Sequence, residues 1–588
     1  MKERRTMEHG GDIVGEVLAR RGIGHIFTLC GGHISPILVG AKRHGVRVID
    51  MREEVDAVFA ADSAARLTGN VGVAAVTAGP GVTNTVTAIK NAQMAESPVL
   101  LFGGATATVL RGRGSLQDID QLSILKPITK WATRVATVQS LGPTVERAMD
   151  IALAGVPGPV FVEIPIDVLY PKEMVREWYL KEATMKGPLG DALRFYLKGH
   201  LVRQFHQPHV PLDLPVDLTE GGLPQLNRSG LVRSVADALR KAKRPVLVLG
   251  SQTLVNCKNP ERIAQAVRDL GVPTYLGGMA RGLLGRSSES QFRHERGKAL
   301  READVCVVSG FPFDFRLKYG QAFGSKCTLV AANLNGTALR KNRVADIALR
   351  MHPGEFLVEL ARELGTTPPS RWSEWYSTLR GREAKRDAEI AGQATPATEP
   401  KRVNPVRLLR ELEERLDDSA VLVADGGDFV GTAAYILRPR SPLSWLDPGV
   451  YGTLGVGGGF ATGAAACRPG AEVWILYGDG SSAYSLSEFD TFARHGLAPI
   501  ALIGNDAAWG QIARDQETLL GDDVGTTLRY TSYEKVAEGY GGVGLLIDDE
   551  AKIGEVLDEA KRIARSGRPV CVNVLLEKSD FRKGSISV

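Results

Sequence analysis

Two apolar runs near the end of the chain stop in the same way. Val473-Trp474-Ile475-Leu476-Tyr477 runs into Gly478-Asp479-Gly480, and a second run ends at Gly504-Asn505-Asp506. Uninterrupted apolar runs of this length suit strands buried on both faces, as in a parallel sheet. Parallel neighbours need a long crossover, commonly a helix, and the stretch between the two runs reads as one. The two strand ends then meet at one edge of the sheet, each presenting a carboxylate as a hard oxygen ligand. Gly478 and Gly480 let backbone N–H groups come close to a phosphate, and a helix N-terminus beyond them favours negative charge. The pattern predicts a site for a divalent cation and a diphosphate.

The same alternation runs through the rest of the chain. Helical periodicity over residues 12–21 precedes a strand-like run at 26–29, and further runs lie at 71–77, 99–102 and 158–165. A second series begins near Leu231, with runs at 245–250 and 305–310. A third begins near Val403, with runs at 421–424 and 570–576 besides the two above. Three series of alternating strands and helices predict an α/β protein of three consecutive doubly wound parallel-sheet domains. At 588 residues several cores are required. The expected domains are residues 1–175, 231–370 and 403–588. A connecting segment at 176–230 holds an amphipathic piece around 192–205, and an exposed linker is expected at 371–402.

Composition narrows the partners. The net charge is +5 from 72 basic and 67 acidic residues, and the basic ones form no blocks, so no nucleic-acid partner is expected. No apolar stretch is long enough to span a bilayer, and MKERRTMEHGGDIV has no signal-peptide core. The six cysteines are scattered without CxxC spacing, as in a reducing compartment. With no peroxisomal tripeptide at the C-terminus, a cytoplasmic location is expected. The first strand-like run leads into Cys30-Gly31-Gly32-His33 rather than GxGxxG, which argues against a nicotinamide oxidoreductase.

Several motifs converge on one family. Residues 50–66, DMREEVDAVFAADSAAR, resemble the R-H-E-x-x-A-x-x-A-A-x-x-x-A-R helix of thiamine-diphosphate enzymes. Gly79-Pro80-Gly81-Val82-Thr83-Asn84 matches their G-P-G-x-x-N turn, and Gly452-Thr453-Leu454-Gly455 is similar to their G-x-M-G segment. Asp479 and Asp506, 27 positions apart, stand where those enzymes carry the GDG and Asn-Asx pair. With the runs GGDFVGTAA (426–434), WLDPG (445–449) and DFRKGSISV (580–588), nearly the whole chain resembles the acetolactate synthase / 2-hydroxyacyl-CoA lyase / benzaldehyde lyase superfamily.

That resemblance implies thiamine diphosphate and Mg²⁺ as cofactors. It makes Glu54 the carboxylate that bonds the aminopyrimidine, with Glu53 in place of the usual histidine. It makes Gly79 and Asn84 part of the pyrimidine side, and Gln117, in a loop facing the thiazolium, the residue that holds the substrate carbonyl. In the last domain it implies backbone contacts from Gly427 and Asp428 and a turn at Gly452. Leu454 is the apolar wedge between the cofactor rings. Gly480 and Ser481 belong to the diphosphate cradle. Asp479, Asp506 and the Ala508 carbonyl become metal ligands, and Asn505 orients the loop. Trp509 is a candidate wall of the substrate pocket.

The implied chemistry is cleavage or formation of a carbon–carbon bond beside a carbonyl. The branch expected first is a 2-hydroxyacyl-CoA lyase, releasing formyl-CoA and an aldehyde. The alternative is an acetolactate synthase-like or aldehyde carboligase acting on free 2-ketoacids. A catalytically silent cofactor-binding subunit is the reading from another class, and the presence of Glu54 speaks against it. Phe311-Pro312-Phe313-Asp314-Phe315-Arg316 preserves only part of the R-F-D-D-R pattern of FAD-binding relatives, and Ala332-Asn333-Leu334-Asn335 replaces their acidic pair, which weakens an FAD site. Acyl-CoA members of the superfamily carry ADP there or use the region for CoA, so the resemblance implies ADP, or else FAD, in the central domain. The resemblance also implies a homodimer or homotetramer in which two subunits build each active site.

Overall fold

The computed structural model describes residues 9–182, 186–205 and 228–583. Part of the expected 176–230 connecting segment and the last five residues of the DFRKGSISV run lie outside them. Three six-stranded sheets, parallel throughout, account for every named strand. The first holds β1 (His25–Thr28), β2 (Arg47–Asp50), β3 (Gly72–Val76), β4 (Val99–Ala105), β5 (Trp131–Arg134) and β6 (Val160–Pro165), in the order 2-1-3-4-6-5. The second holds β7 (Pro245–Leu249), β8 (Thr274–Leu276), β9 (Gln291–Phe292), β10 (Val305–Ser309), β11 (Thr328–Asn333) and β12 (Ile347–Arg350), in the order 12-11-10-7-8-9. The third holds β13 (Val421–Ala424), β14 (Trp445–Leu446), β15 (Val473–Gly478), β16 (Ile500–Asn505), β17 (Val543–Ile547) and β18 (Val570–Leu575), in the order 14-13-15-16-18-17.

The central strands β3, β4, β6, β7, β10, β13, β15 and β16 are buried along their whole length. Helices cover both faces of such sheets, which is why these strands read as unbroken apolar runs. In each sheet the strand order switches direction from its first strand, between β1 and β3, between β7 and β10, and between β13 and β15. Crevices beyond the carboxyl ends of strands at such points are where open α/β sheets take ligands. The chain divides into two compact units: residues 1–66 with 70–220 carry the first sheet, and residues 221–588 with 67–69 carry the second and third.

Two segments differ from expectation. Residues expected as an exposed linker form the helix Ser373–Gly392. Its first part places Trp375, Tyr376 and Leu379 in the core of the second sheet, while Ile390 near its end joins the core of the third. The Trp375 indole donates to the Pro245 carbonyl at 3.1 Å. The amphipathic piece is the helix Pro188–Phe205, but it is apolar on two faces: Leu197 and Leu201 are buried while Leu189, Phe195, Tyr196 and Val202 are exposed. No helix among the described residues is long and apolar enough to cross a membrane.

Trp375→Ala removes a buried indole and its hydrogen bond, and should cost about 3–5 kcal/mol by chemical denaturation. Lys385→Ala, on the exposed face of the same helix, should change stability by less than about 0.5 kcal/mol.

Candidate active site

At the carboxyl edge of the first sheet, the chain leaves β2 and enters the helix Glu54–Thr68 at Glu54 itself. A carboxylate in a first helical turn is favoured by the helix dipole, and here it is also buried, at 7 % exposure. Its Oε2 accepts a hydrogen bond from Asn84 Nδ2 at 3.0 Å. Asn84 ends the turn that begins at Gly79, whose φ of +62° suits glycine. A Cβ on Gly79 would lie 2.9 Å from that of Gln117, so the Gln117 loop rests on this turn, and a Cβ on Gly81 would start 3.6 Å from Glu54 Oε1. The fold thus gathers Glu54, Gly79, Asn84 and Gln117 where β1 and β3 diverge. Gln117 is half-buried with a left-handed φ of +63°, a conformation uncommon outside glycine.

At the same edge of the third sheet, three neighbouring strands each end in an acid: β13 at Asp425, β15 at Asp479 and β16, past Asn505, at Asp506. The β13 and β15 ends are drawn together by Gly478 N donating to the Gly426 carbonyl at 3.2 Å. The Ser481 hydroxyl, 3.1 Å from the Gly426 and Gly478 carbonyls, bonds to the same junction. Asp479 Oδ1 accepts from Gly480 N at 2.9 Å and its Oδ2 from Ala508 N at 3.1 Å. Ala508 pairs across from Thr527, with its neighbours Ala507 and Trp509 making the ladder bonds. Its own N–H and C=O therefore face the Asp479 side.

Burial first, and then the nearby Asp506 charge, pushes the Asp479 carboxyl up to about 7. Burial and then Asp428 push Asp506 up to about 6. Two carboxylates crowded in a dry site, with a backbone carbonyl turned toward them, fit a hard dication that takes oxygen ligands. No group of three or more His, Cys, Asp or Glu side chains is suited to a metal among the described residues. Further ligands would come from backbone and from phosphate oxygens, which suits the Mg²⁺–diphosphate reading.

The surrounding residues have defined tasks. Asn505 is fully buried and its side chain is committed to the loop, donating to the Thr531 carbonyl at 3.1 Å and accepting from Ala507 N at 3.3 Å. Leu454 packs so closely on Gly426 that a Cβ there would lie 2.1 Å from its Cδ2. Asp428 opens the helix Asp428–Ile436, and its carboxylate pairs with Arg514 and Arg582, leaving backbone N–H groups for an anion. Gly452 is exposed with φ +67°. The Trp509 ring, expected to wall a substrate pocket, lies against Gly480, where a Cβ would sit 2.5 Å from it. Glycine at 480 is thus demanded by the tryptophan as well as by any phosphate.

Two side-chain roles escaped the sequence reading. Asp425 accepts from Gly455 N at 2.9 Å and Gly457 N at 2.7 Å, holding the turn that carries Leu454, and burial pushes its carboxyl up to about 7. The signal was present, an acid closing the apolar run 421–424, just as at Asp479. Gln121, 2 % exposed, gave none. Beside Gly426 and Gly427 opens a cavity of about 470 Å³ that also reaches Arg281, Arg296, Arg316 and Arg582.

Comparison with known proteins agrees with this geometry. The N-terminal TPP binding domain of thiamine pyrophosphate enzymes matches residues 8–124, their central domain residues 232–360, and their C-terminal TPP binding domain residues 425–574. The 2-hydroxyacyl-CoA lyase 2 of Danio rerio is 48% identical over 100% of this chain and 94% of its own length. That of Homo sapiens is 47% identical over 100% of this chain and 93% of its own. A probable acetolactate synthase of Mycobacterium bovis is more distant, 32% identical over 97% of this chain and 96% of its own. The chain belongs to the thiamine pyrophosphate enzyme family, and within it is more similar to 2-hydroxyacyl-CoA lyase 2 than to that acetolactate synthase.

Proposed function

We propose that the protein is a thiamine-diphosphate- and Mg²⁺-dependent 2-hydroxyacyl-CoA lyase, releasing formyl-CoA and an aldehyde one carbon shorter. The observation that carries this reading is the 47–48% identity to 2-hydroxyacyl-CoA lyase 2 across the whole chain. The arginine-lined cavity beside Gly426 and Gly427 supports it, because guanidinium groups suit the phosphates of a CoA thioester. ADP or FAD in the central domain would draw on the same arginines.

Bound thiamine diphosphate supplies a nucleophilic carbon and an electron sink, which makes a bond beside a carbonyl breakable. Glu54, buried and oriented by Asn84, would hold the aminopyrimidine and pass a proton to or from it. Asp479, Asp506 and the Ala508 carbonyl would hold Mg²⁺, and N–H groups of the Gly427 and Gly480 turns would hold the diphosphate. Leu454, packed on Gly426, would support the cofactor's rings, and Gln117 would orient the substrate carbonyl. The half-sites lie on two units of the chain, and pairing of subunits, as dimer or tetramer, is the arrangement we infer for completing them. Six free thiols support a reducing compartment, in our reading the cytoplasm.

Incubation with a 2-hydroxyacyl-CoA, thiamine diphosphate and Mg²⁺ should yield aldehyde and formyl-CoA by mass spectrometry. Acetolactate from pyruvate, with no aldehyde from the thioester, would overturn the assignment in favour of the ketoacid alternative. Glu54→Gln should lower kcat by at least about 100-fold while calorimetry finds thiamine diphosphate binding little changed. Mg²⁺ affinity should fall as pH drops from 8 through about 7 and about 6, because protons then compete for Asp479 and Asp506. The sign reverses for stability. Carboxyls raised above their unfolded values favour folding below about pH 4 and lose that contribution as pH rises through 6 and 7. Added Mg²⁺ should therefore raise the melting temperature more at pH 8 than at pH 5.

A further inference from the structure

We propose that Gln121 is a positioning residue for the half-site formed by Glu54, Asn84 and Gln117, an inference that rests on the roles given to those residues above. Gln121 opens the short helix Gln121–Leu125, just after the loop that carries Gln117. Its side chain is almost wholly buried and all of its main hydrogen-bonding capacity is used. Oε1 accepts from Gly79 N at 2.8 Å. Nε2 donates to the Gly104 carbonyl at 3.0 Å and to Glu163 Oε2 at 2.9 Å. One amide therefore ties together the ends of β3 and β4 and a carboxylate on β6, three neighbouring strands of the first sheet.

Only a primary amide can accept at one end and donate twice at the other, and the backbone N–H of Gly79 fixes which end faces which way. Glu163, fully buried, has its other oxygen paired with the Arg134 guanidinium, so the amide meets a compensated charge. The consequence falls on Gln117. That residue leans on Gly79, where an added Cβ would lie 2.9 Å from the Gln117 Cβ, and three residues of chain separate it from Gln121. The amide thus holds the loop from both sides, through the turn beneath Gln117 and through the backbone after it. The same turn leads to Asn84, which holds Glu54. Misplacement by about 1 Å at a reacting centre can cost about 100-fold in rate, whereas losing the amide's bonds costs only about 1–3 kcal/mol of folding stability per buried group left unpaired.

The test uses the full chain loaded with thiamine diphosphate and Mg²⁺ and a 2-hydroxyacyl-CoA. Gln121→Glu places a second carboxyl against Glu163, so one of the two must keep a proton. We expect kcat to fall about 100-fold with KM within twofold, and the kcat–pH profile to gain an ionisation absent from the parent. Adding Glu163→Gln exchanges amide and carboxylate between the two positions. It should remove the new ionisation and recover part of kcat, the remainder staying lost because a carboxylate at 121 cannot donate to the Gly104 carbonyl; a merely structural contact would show no such recovery. Gln121→Met, uncharged and of similar length, should lower kcat while leaving cofactor affinity within threefold, and it serves should Gln121→Glu not fold. Folded Gln121→Met with kcat within threefold of the parent would overturn the inference, as would a double variant no faster than Gln121→Glu. Glu54→Gln run in parallel separates the two readings. If it is inactive while the Gln121 variants are active, only the positioning role fails; if it is fully active, the assignment of the half-site fails first.

Discussion

A parallel sheet with helices on both faces leaves polar chemistry one outlet, the carboxyl ends of its strands. The third sheet uses three such ends side by side. Asp425, Asp479 and Asp506 follow β13, β15 and β16, and the pinch between Gly426 and Gly478 keeps the first two strand ends close. Burial at these positions makes every carboxylate costly unless something neutralises or bonds it. Asp425 is bonded by two glycine N–H groups at the start of the helix Val456–Cys467. Asp479 also accepts two backbone N–H groups, yet the Asp506 charge beside it raises the cost again, which a cation would relieve. The crowding of carboxylates and their elevation are thus two expressions of one topological fact.

The second sheet participates through the opposite end of the cradle helix. Asp428–Ile436 points its N-terminus at the Gly427 edge, and its last carbonyls receive two arginines from the central part of the chain. Arg281 donates to Ala434 at 3.0 Å, and Arg293 to Tyr435 at 2.7 Å and Leu437 at 3.0 Å. Cations at a helix C-terminus complement its dipole. Burial lowers both guanidinium groups, Arg293 to about 10, which leaves Arg293 charged at neutral pH. A helix meant to present N–H groups to an anion is thereby held at both ends.

Much of this was legible in the sequence because local and global signals agreed. Each apolar run ending in an acid or glycine became a central strand, and the helix motif at 50–66 and the turn at 79–84 came together as the family resemblance implied. The edge strands were not legible: β9 and β14 span two residues each, too short for any periodicity. Gln121 was invisible because its partners Gly79 and Glu163 are each 42 positions away, and no local pattern marks an amide that bonds across a fold. The segment 371–402 misled for another reason. Its apolar anchors Trp375, Tyr376 and Leu379 are confined to the first turns, and the charged remainder reads as solvent-exposed chain although it is helical.

That helix bears on how such proteins can be recombined. Its start is embedded among the side chains of the second sheet and its Ile390 among those of the third. A junction drawn after residue 402 would strip the third core of a side chain it encloses, and one drawn before residue 373 would strip the second of several. No clean seam runs between these two sheets, so exchange between relatives would have to move residues 228–583 as a single cassette.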